Sequence, residues 1–295
     1  MAAVVAWIVG HGLHDAPWPL DLLSYVPAAP LAPALLLLAA LSRGRRRAAA
    51  AVAAAAVVAY VVTVDVRRGP ELAAAGDDRL TAVQWNVAHG FVGWRAALER
   101  LRRLDADLYV LNELPRHVVR GETALRLGPG YTYIFGDLTG IACRGELGDT
   151  SFEAADGLAL LHGRCRRLDG RTLDVLAVDV AASPLVPRRP LIERLHAEMA
   201  ARRPDLVAGD FNTPARAGLL RTPPAGFVNT EHTAGRGWTA TWPVPFPVLA
   251  LDQILLGERL EAIRLEETST ASSDHRLLKL TLRFRPEFSA AAPRP

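Results

Sequence analysis

The chain contains few cysteines, almost no lysine and only a mild net charge. Its two cysteines, Cys143 and Cys165, have neither zinc-ligand spacing nor a CxxC pattern, which argues against a cysteine-based metal or dithiol site. They are either buried thiols or, in an oxidising compartment, one disulfide. The net charge of +3 comes from arginine, because Lys279 is the only lysine. A balance this mild does not by itself indicate a nucleic-acid-binding protein.

Residues before about position 66 differ sharply in composition from those that follow. Two uncharged runs of 17 residues, 26–42 and 48–64, flank a basic stretch that contains Arg43 and Arg45–Arg47. Each run is close to the shortest length that spans a bilayer, and arginine is retained on the cytoplasmic side. The pattern predicts transmembrane helices that form a hairpin with a cytoplasmic turn. Both ends of the hairpin, and the rest of the chain, then lie outside the cytoplasm at the cell membrane.

Other interpretations of this N-terminal region remain open. An additional crossing over residues 1–13 requires the apolar start of the chain to continue to Leu13. Residues 48–64 also resemble the hydrophobic region of a signal peptide with a cleavage site at Ala73–Ala75. Alanine-rich buried helices of a soluble protein have the same composition. We predict the following organisation: a membrane anchor over 1–66, a linker over 67–78, a folded domain over 79–285 and a disordered tail over 286–295.

From about Leu80, short apolar runs alternate with amphipathic ones, which predicts an α/β domain. The apolar runs predict strands over 80–87, 107–114, 157–165, 172–180, 205–211, 251–257 and 276–284. Apolar residues at helical spacing predict one helix from about Gly93 and another over 189–202. An Asp-Gly turn signal between the third and fourth strands predicts that they form a hairpin.

Polar residues lie at or next to the ends of several of these predicted strands. They are Asn86, Glu113, Asp210, Asn212, Asp252 and the pair Asp274-His275. Strand ends at one edge of a sheet converge, so groups distant in sequence meet in one pocket. Carboxylates with a carboxamide suit a hard cation such as Mg²⁺, and a nearby histidine suits acid–base chemistry. Each residue taken alone is more typical of a turn or a helix cap, so the prediction depends on their joint occurrence.

The order of five motifs carries a family resemblance. WNV, LNE, GDFNTP, LDQILLG and SSDHRLL follow one another, and together they resemble the endonuclease/exonuclease/phosphatase superfamily over residues 79–285. The resemblance implies a four-layered α/β sandwich of two packed mixed sheets. It also implies a catalytic domain with a divalent-metal site for Mg²⁺ or Mn²⁺, at which water attacks a phosphate ester in line.

The resemblance also implies a role for each motif residue. Glu113 is implied as the main metal-binding carboxylate, with Asn86 beside it and Asp274 in or next to the metal's ligand shell. Asp210 is implied to orient or activate the attacking water, and Asn212 to hold the phosphate or the surroundings of the nucleophile. His275 is implied to act on the scissile phosphate. Asp252 is implied to pair with that histidine, which fixes its tautomer and favours its protonated form.

One family feature is missing from the sequence. The family usually has a further histidine at the end of the strand before the long helix, whereas this region reads AVDVAASPLVPRRP. Asp179 or Val180 occupies the place of that histidine, and Arg188 or Arg189 is a candidate for supplying the lost positive charge. The loss also leaves open a degenerate domain that binds but does not catalyse.

The identity of the substrate is not readable from these motifs. We expect a phosphate ester, which includes nucleic acid, a phospholipid headgroup and small molecules, and a monomeric catalytic domain tethered to the membrane. Trp242 lies in a segment, 237–253, that is rich in proline and aromatic residues, and it is a candidate substrate contact at an apolar rim. Retention of the acidic residues and the histidine favours a phosphodiesterase, nuclease or phosphatase over a binding domain.

Overall fold

The computed structural model describes residues 2–12, 18–69, 79–121 and 125–289. Its N-terminal part consists of helices α1 (Ala2–Gly12), α2 (Ala28–Leu41) and α3 (Gly44–Tyr60), and a π-helical turn (Val61–Asp65) continues α3. The three helices share one apolar cluster, made of Val4, Trp7, Ala28, Leu35, Ala54 and Val57. The turn between α2 and α3 is shorter than predicted, because Arg45–Arg47 lie in the first turn of α3.

Only one helix in the described part of the chain is long and apolar enough to cross a membrane. It comprises the 22 residues Gly44–Asp65, which extend over about 33 Å at 1.5 Å per residue. Helix α2 has 14 residues and extends over roughly 21 Å, which is less than the hydrocarbon thickness of a bilayer. The two-helix crossing therefore stays a prediction, and both Leu13 and the Ala73–Ala75 cleavage site lie outside the described residues.

The remainder of the chain forms an α/β domain. Its helices are α4 (Trp94–Leu104), α5 (Arg116–Val119), α6 (Arg188–Arg202), α7 (Thr230–Ala234) and α8 (Pro286–Ser289). The strands are β1 (Val66–Arg68), β2 (Arg79–Asn86), β3 (Leu108–Asn112), β4 (Tyr131–Gly136), β5 (Thr139–Ala155), β6 (Leu158–Arg167), β7 (Thr172–Val180), β8 (Leu206–Asp210), β9 (Val228–Asn229), β10 (Arg236–Trp238), β11 (Asp252–Leu256), β12 (Leu260–Thr268) and β13 (Leu277–Phe284). All seven predicted strands are present, and β6 and β7 form the predicted hairpin.

The strands form a mixed sheet, as predicted, but its two halves are continuous. The order is β12-β13-β2-β3-β5-β6-β7-β8-β11-β9, with β4 beside β5, and the parallel pairs are β2 with β3 and β7 with β8. The first half consists of β12, β13, β2, β3, β4 and the start of β5, and the second half consists of the rest of β5 with β6, β7, β8, β11 and β9. The 17-residue strand β5 therefore belongs to both halves, which the family resemblance implied to be two separate sheets. Its register shifts between Gly148 and Ser151, and such irregularities bend a strand. The path of strands therefore curls on itself.

The two halves of the curled sheet enclose the largest apolar cluster. It combines Ala82 and Val110 from one half with Ala177 and Ala208 from the other. Helix α4 packs on the outer face of the first half, and α6 packs on the outer face of the second. The order of packing is therefore helix, half-sheet, half-sheet and helix, and the ends of the strands between the helices form the rim at which the site lies.

Cys143 of β5 and Cys165 of β6 form a disulfide within this cluster, with 6.0 Å between their Cα atoms. The bond closes a loop with a sequence separation of 22 residues. We expect the double substitution Cys143→Ser, Cys165→Ser to lower the free energy of unfolding by about 3 kcal/mol, because the open chain has more conformational freedom when unfolded. Chemical denaturation of both proteins measures this difference. The disulfide would be contradicted if the wild-type and variant proteins were equally stable and reductant did not change the stability of the wild type.

Strand β1 joins the N-terminal helices directly to the α/β domain. It follows the end of α3 and pairs with β10 in antiparallel register, Val66 opposite Trp238. Arg216 forms ion pairs with Asp65 and with Glu231, and Glu231 also pairs with Arg67 at 3.2 Å. Residues 67 and 68 of the predicted linker are thus part of a strand, while 70–78 lie outside the described residues. Of the predicted tail, 286–289 form α8 and 290–295 lie outside the described residues.

Candidate active site

The apolar faces that meet between the two half-sheets change to polar residues at one end of the strands. Side chains alternate along a strand, so Ala82 is followed on its face by Gln84 and Asn86, and Val110 by Asn112. In the second half, Asp179 and Asp210 are paired in parallel register, and Asp210 and Asp252 in antiparallel register. The site is therefore the end of the inter-sheet core, where residues from five strands meet.

His275 and two aspartates form a buried group at the centre of this site. Its Nδ1 lies 2.7 Å from Oδ2 of Asp252, and its Nε2 lies 3.9 Å from Oδ2 of Asp210. Burial alone would lower the pKa of His275, but the neighbouring aspartates, Asp252 foremost, raise it to about 10. The imidazolium is therefore the stable form at neutral pH, and its Nε2 is on the side of Asp210.

Asp210 is held by two hydrogen bonds that use both of its oxygens. Oδ1 accepts from the backbone N–H of Asn212 at 2.8 Å, and Oδ2 accepts from Nδ2 of Asn86 at 2.9 Å. Burial raises the pKa of Asp210, and the negative charge of Asp252 adds to this rise. Gly209 allows the close approach of β7, since a Cβ there would lie 1.8 Å from the Val178 carbonyl oxygen. The Asp210–Asn212 turn is thus one part of a larger polar site.

Glu113 approaches the same end of the strands from the first half of the sheet. It follows β3 with a φ of 52°, a conformation that is uncommon for a residue with a side chain. His89 is 3.3 Å from its carboxylate, and Ala88, His89 and Asn212 also have positive φ. Backbone strain of this kind is concentrated at functional sites.

Asp179 is, with Val180, one of the two residues at the place where the family's further histidine is expected. Burial raises the pKa of Asp179 to about 8, with smaller contributions from the negative charges of Asp210 and Glu113. Asp210 and Glu113 are therefore close enough to Asp179 for their negative charges to oppose its ionisation. Nearby, Oε1 of Gln84 is a buried acceptor without a hydrogen-bond donor in the described part of the chain.

The remaining predicted residues differ in how they relate to this cluster. Asp274 is exposed, and its Oδ2 accepts a hydrogen bond of 3.0 Å from Nε1 of Trp242, whose ring centroid is 6.5 Å from that of His275. Arg188 is buried and linked to Asn212 through Tyr25. Arg189 is exposed and pairs with Glu193, one turn further along α6, at 2.9 Å.

Comparison with known proteins decides the family. The model of the endonuclease/exonuclease/phosphatase family matches residues 83–275, more than half of the chain. The chain belongs to the endonuclease/exonuclease/phosphatase family. Members of this family are phosphoester hydrolases. No curated protein matches the chain.

Solved structures show the family fold at low sequence identity. A humanized TDP2 of D. rerio carrying 14 mutations superposes with a TM-score of 0.55 at 17% identity, covering 70% of this chain and 100% of that chain. A family protein from Bacteroides thetaiotaomicron has a TM-score of 0.55 at 15% identity, with 70% and 98% covered. A mannosyl-6-phosphatase of the same organism has a TM-score of 0.51 at 15% identity, with 70% and 100% covered. At these identities the likeness concerns the fold.

The donor set fits the divalent metal that the endonuclease/exonuclease/phosphatase family usually uses. Potential ligand atoms of Asp210, Asp252 and His275 lie within 4.8 Å of one another, and the two carboxylates, unlike the protonated ring of His275, have free lone pairs for a cation. Mutual repulsion among the buried carboxylates raises the free energy of their charged forms, and a divalent cation removes this penalty.

Several residues of this family site were not singled out from the sequence. Gln84 donates to Asp252 at 2.9 Å, Asn112 donates to the Val178 carbonyl at 2.8 Å, and His89 contacts Glu113. Gln84 and Asn112 are polar residues on faces that are otherwise apolar, so the two-residue period of their strands indicates them. His89 has no comparable signal, because it lies in a short irregular segment after β2.

Proposed function

We propose that the chain is a divalent-metal-dependent phosphoester hydrolase, a phosphodiesterase, nuclease or phosphatase, whose catalytic domain lies outside the cytoplasm and is tethered to the membrane. The observation that carries the proposal is the buried arrangement of Asp252, His275 and Asp210, with Asn86 bound to Asp210. Buried charged groups destabilise a fold unless they are paired. Their concentration at the end of the inter-sheet core therefore favours a catalytic function over a degenerate binding domain.

Each residue of the site has its own role in the proposed hydrolysis. Asp252 holds Nδ1 of His275, so the protonated ring presents its Nε2–H and its positive charge to a phosphate oxygen. Asp210 accepts a proton from the attacking water, since a carboxylate with a raised pKa is a better base. Asn86 orients Asp210, and Asn212 holds the turn that positions it. Trp242 orients Asp274 beside the ring of His275.

Glu113 and Asn86 would hold the metal, with Asp274 at its periphery. When bound, a divalent cation polarises the phosphate ester and neutralises its charge. Glu113 is suited to this role because its carboxylate is partly exposed and its only ion-pair partner in the described part of the chain is His89.

Three features support a location outside the cytoplasm at the cell membrane. The helix Gly44–Asp65 is long and apolar enough to span a bilayer. Arg45–Arg47 at its start favour the cytoplasmic side for that end. The disulfide between Cys143 and Cys165 is typical of an oxidising compartment. Labelling of Leu168→Cys, at a position that is 82% exposed, by an impermeant maleimide in intact cells tests this orientation.

The full-length protein in detergent provides the test of activity. We expect hydrolysis of bis(p-nitrophenyl) phosphate, plasmid DNA or sphingomyelin with Mg²⁺ or Mn²⁺, and none in EDTA. Glu113→Gln is expected to raise the metal concentration needed for half-maximal rate by roughly 10- to 100-fold. p-Nitrophenyl phosphate, assayed in parallel, separates a monoesterase from a diesterase. A folded protein that binds Mn²⁺ but hydrolyses none of these esters would favour a binding domain.

A further inference from the structure

Arg188 is a buried cation that has no carboxylate partner among the described residues. It is 5% exposed, and its Nε donates to the Tyr25 hydroxyl at 3.1 Å while Nη1 donates to the Val186 carbonyl at 3.3 Å. Both acceptors are neutral, and no carboxylate of the described residues lies within 4.0 Å of the Arg188 guanidinium nitrogens. By contrast, the partly buried Arg216 and Arg259 each have an acidic partner. A buried charge without a counter-charge is costly unless a ligand supplies one.

The position of Arg188 in its helix adds to this excess of positive charge. Arg188 is the first residue of the 15-residue helix α6, whose first turn contains no acidic residue and whose start is not capped by a side chain. The N-terminus of a helix carries a partial positive charge and free N–H groups, so it favours an anion there and disfavours a cation. A buried guanidinium at this end therefore indicates an anion-binding position.

Tyr25 connects this position to the site that contains Asp210. Its hydroxyl accepts the hydrogen bond of Arg188 and donates to the carbonyl of Asn212 at 2.6 Å. The side chain of Asn212 in turn donates to the Val180 carbonyl at 2.7 Å, next to Asp179. Arg188 thus lies two hydrogen bonds from the backbone of Asn212, whose side chain contacts β7 at Val180.

Tyr25 belongs to the segment between α1 and α2, not to the α/β domain. Residues Leu20–Tyr25 form a short 3₁₀ helix there, and Nε1 of Trp18 donates to the carbonyl of Pro184, in the loop that leads to Arg188. The N-terminal segment therefore contacts both loops that leave β7 and β8 at the site.

We propose that Arg188 and Tyr25 form a subsite for a phosphate oxygen of the substrate, and that the N-terminal segment completes the active site. Arg188 binds the anion through Nη2, for which the described residues provide no hydrogen-bond acceptor. Tyr25 is a positioning residue, because its hydroxyl fixes Nε of Arg188 and connects it to the carbonyl of Asn212. The proposal rests on the proposed function in one respect, namely that the anion is the phosphate of the ester.

Binding of inorganic phosphate to the full-length protein in detergent tests the subsite without turnover. Isothermal titration in EDTA removes the contribution of a metal. We expect Arg188→Gln to weaken phosphate binding roughly tenfold or more, since a charge-assisted hydrogen bond is lost. Tyr25→Phe, which keeps the ring, is expected to weaken it roughly threefold. Arg189→Gln is the matched control, an exposed arginine one position further on, and should bind as wild type.

A kinetic measurement then separates positioning from general structural damage. With bis(p-nitrophenyl) phosphate, Tyr25→Phe should raise KM more than it lowers kcat, and circular dichroism should be unchanged. If Arg188→Gln does not fold, Arg188→Lys is measured instead, because lysine keeps the positive charge but lacks the planar set of N–H donors of a guanidinium. Wild-type protein that does not bind phosphate in EDTA, or Arg188→Gln that binds as well as Arg189→Gln, would overturn the subsite. Phosphate binding without hydrolysis would instead contradict the proposed function alone.

Discussion

Asp210→Asn is expected to lower kcat for bis(p-nitrophenyl) phosphate by about 10²- to 10⁴-fold, the range for loss of a general base. The amide has the same shape as the carboxylate, and its oxygen can still accept from the N–H of Asn212, so the turn is kept. It cannot accept a proton from water. Steady-state kinetics at saturating Mg²⁺ or Mn²⁺ measure the effect.

Asp205→Asn is a matched control for this substitution. Asp205 is also buried and lies just before the opposite end of β8, where it accepts hydrogen bonds from the Asp174 N–H and from Arg259. Its replacement should change stability but leave kcat of the folded enzyme unchanged. Equal loss of kcat in both variants would show that the effect of Asp210→Asn is structural, not catalytic.

The second large effect concerns the alkaline limit of activity. Asp252 is the strongest of the charges that raise the pKa of His275 to about 10. Because the protonated ring is the active form in our proposal, activity should persist as pH rises until it approaches this pKa. Asp252→Asn removes the charge, so the alkaline limb of the pH–rate profile should move to lower pH, and kcat should fall roughly 10²-fold or more as the ring loses its orientation.

Asp274→Asn provides the comparison for this shift. Asp274 also raises the pKa of His275 but contributes less than Asp252, and its carboxylate is exposed. Its replacement should move the alkaline limb by less than Asp252→Asn does. If neither variant moves the limb, a group other than His275 sets it; Mn²⁺ and Mg²⁺ profiles recorded together identify a limb caused by metal hydrolysis.

Much of the α/β domain was predictable because its strands are short apolar runs bounded by turn residues. The hairpin β6–β7 and the helix α6 follow the predicted ranges closely. Strand β5 was missed because its second half is exposed and rich in small and polar residues, which lack the apolar signal. For the same reason the sequence did not indicate that the two half-sheets are continuous.

The site was predictable only as far as its residues end strands in a recognisable order. Asn86, Asp210, Asp252 and His275 are brought together by the register of neighbouring strands. The choice between Arg188 and Arg189 required the rotation of α6, which buries one and exposes the other. The contact of Tyr25 with the site could not be predicted, because Tyr25 is 187 residues from Asn212 in the chain and lies in a segment assigned to the anchor.

The pairing of β1 with β10 has a consequence for how the proposed hydrolase reaches its substrate. A flexible tether would let the domain sample distances that grow with the square root of its length. Here the helix that ends at Asp65 is fixed to the α/β domain by the ion pair of Asp65 with Arg216 and by the pairing of β1 with β10, and neither contact depends on residues 70–78. For a protein with α3 in the bilayer, as we propose, this connection holds the catalytic centre at one height above the lipid surface, so that distance from the membrane, rather than affinity, determines which phosphate groups it meets.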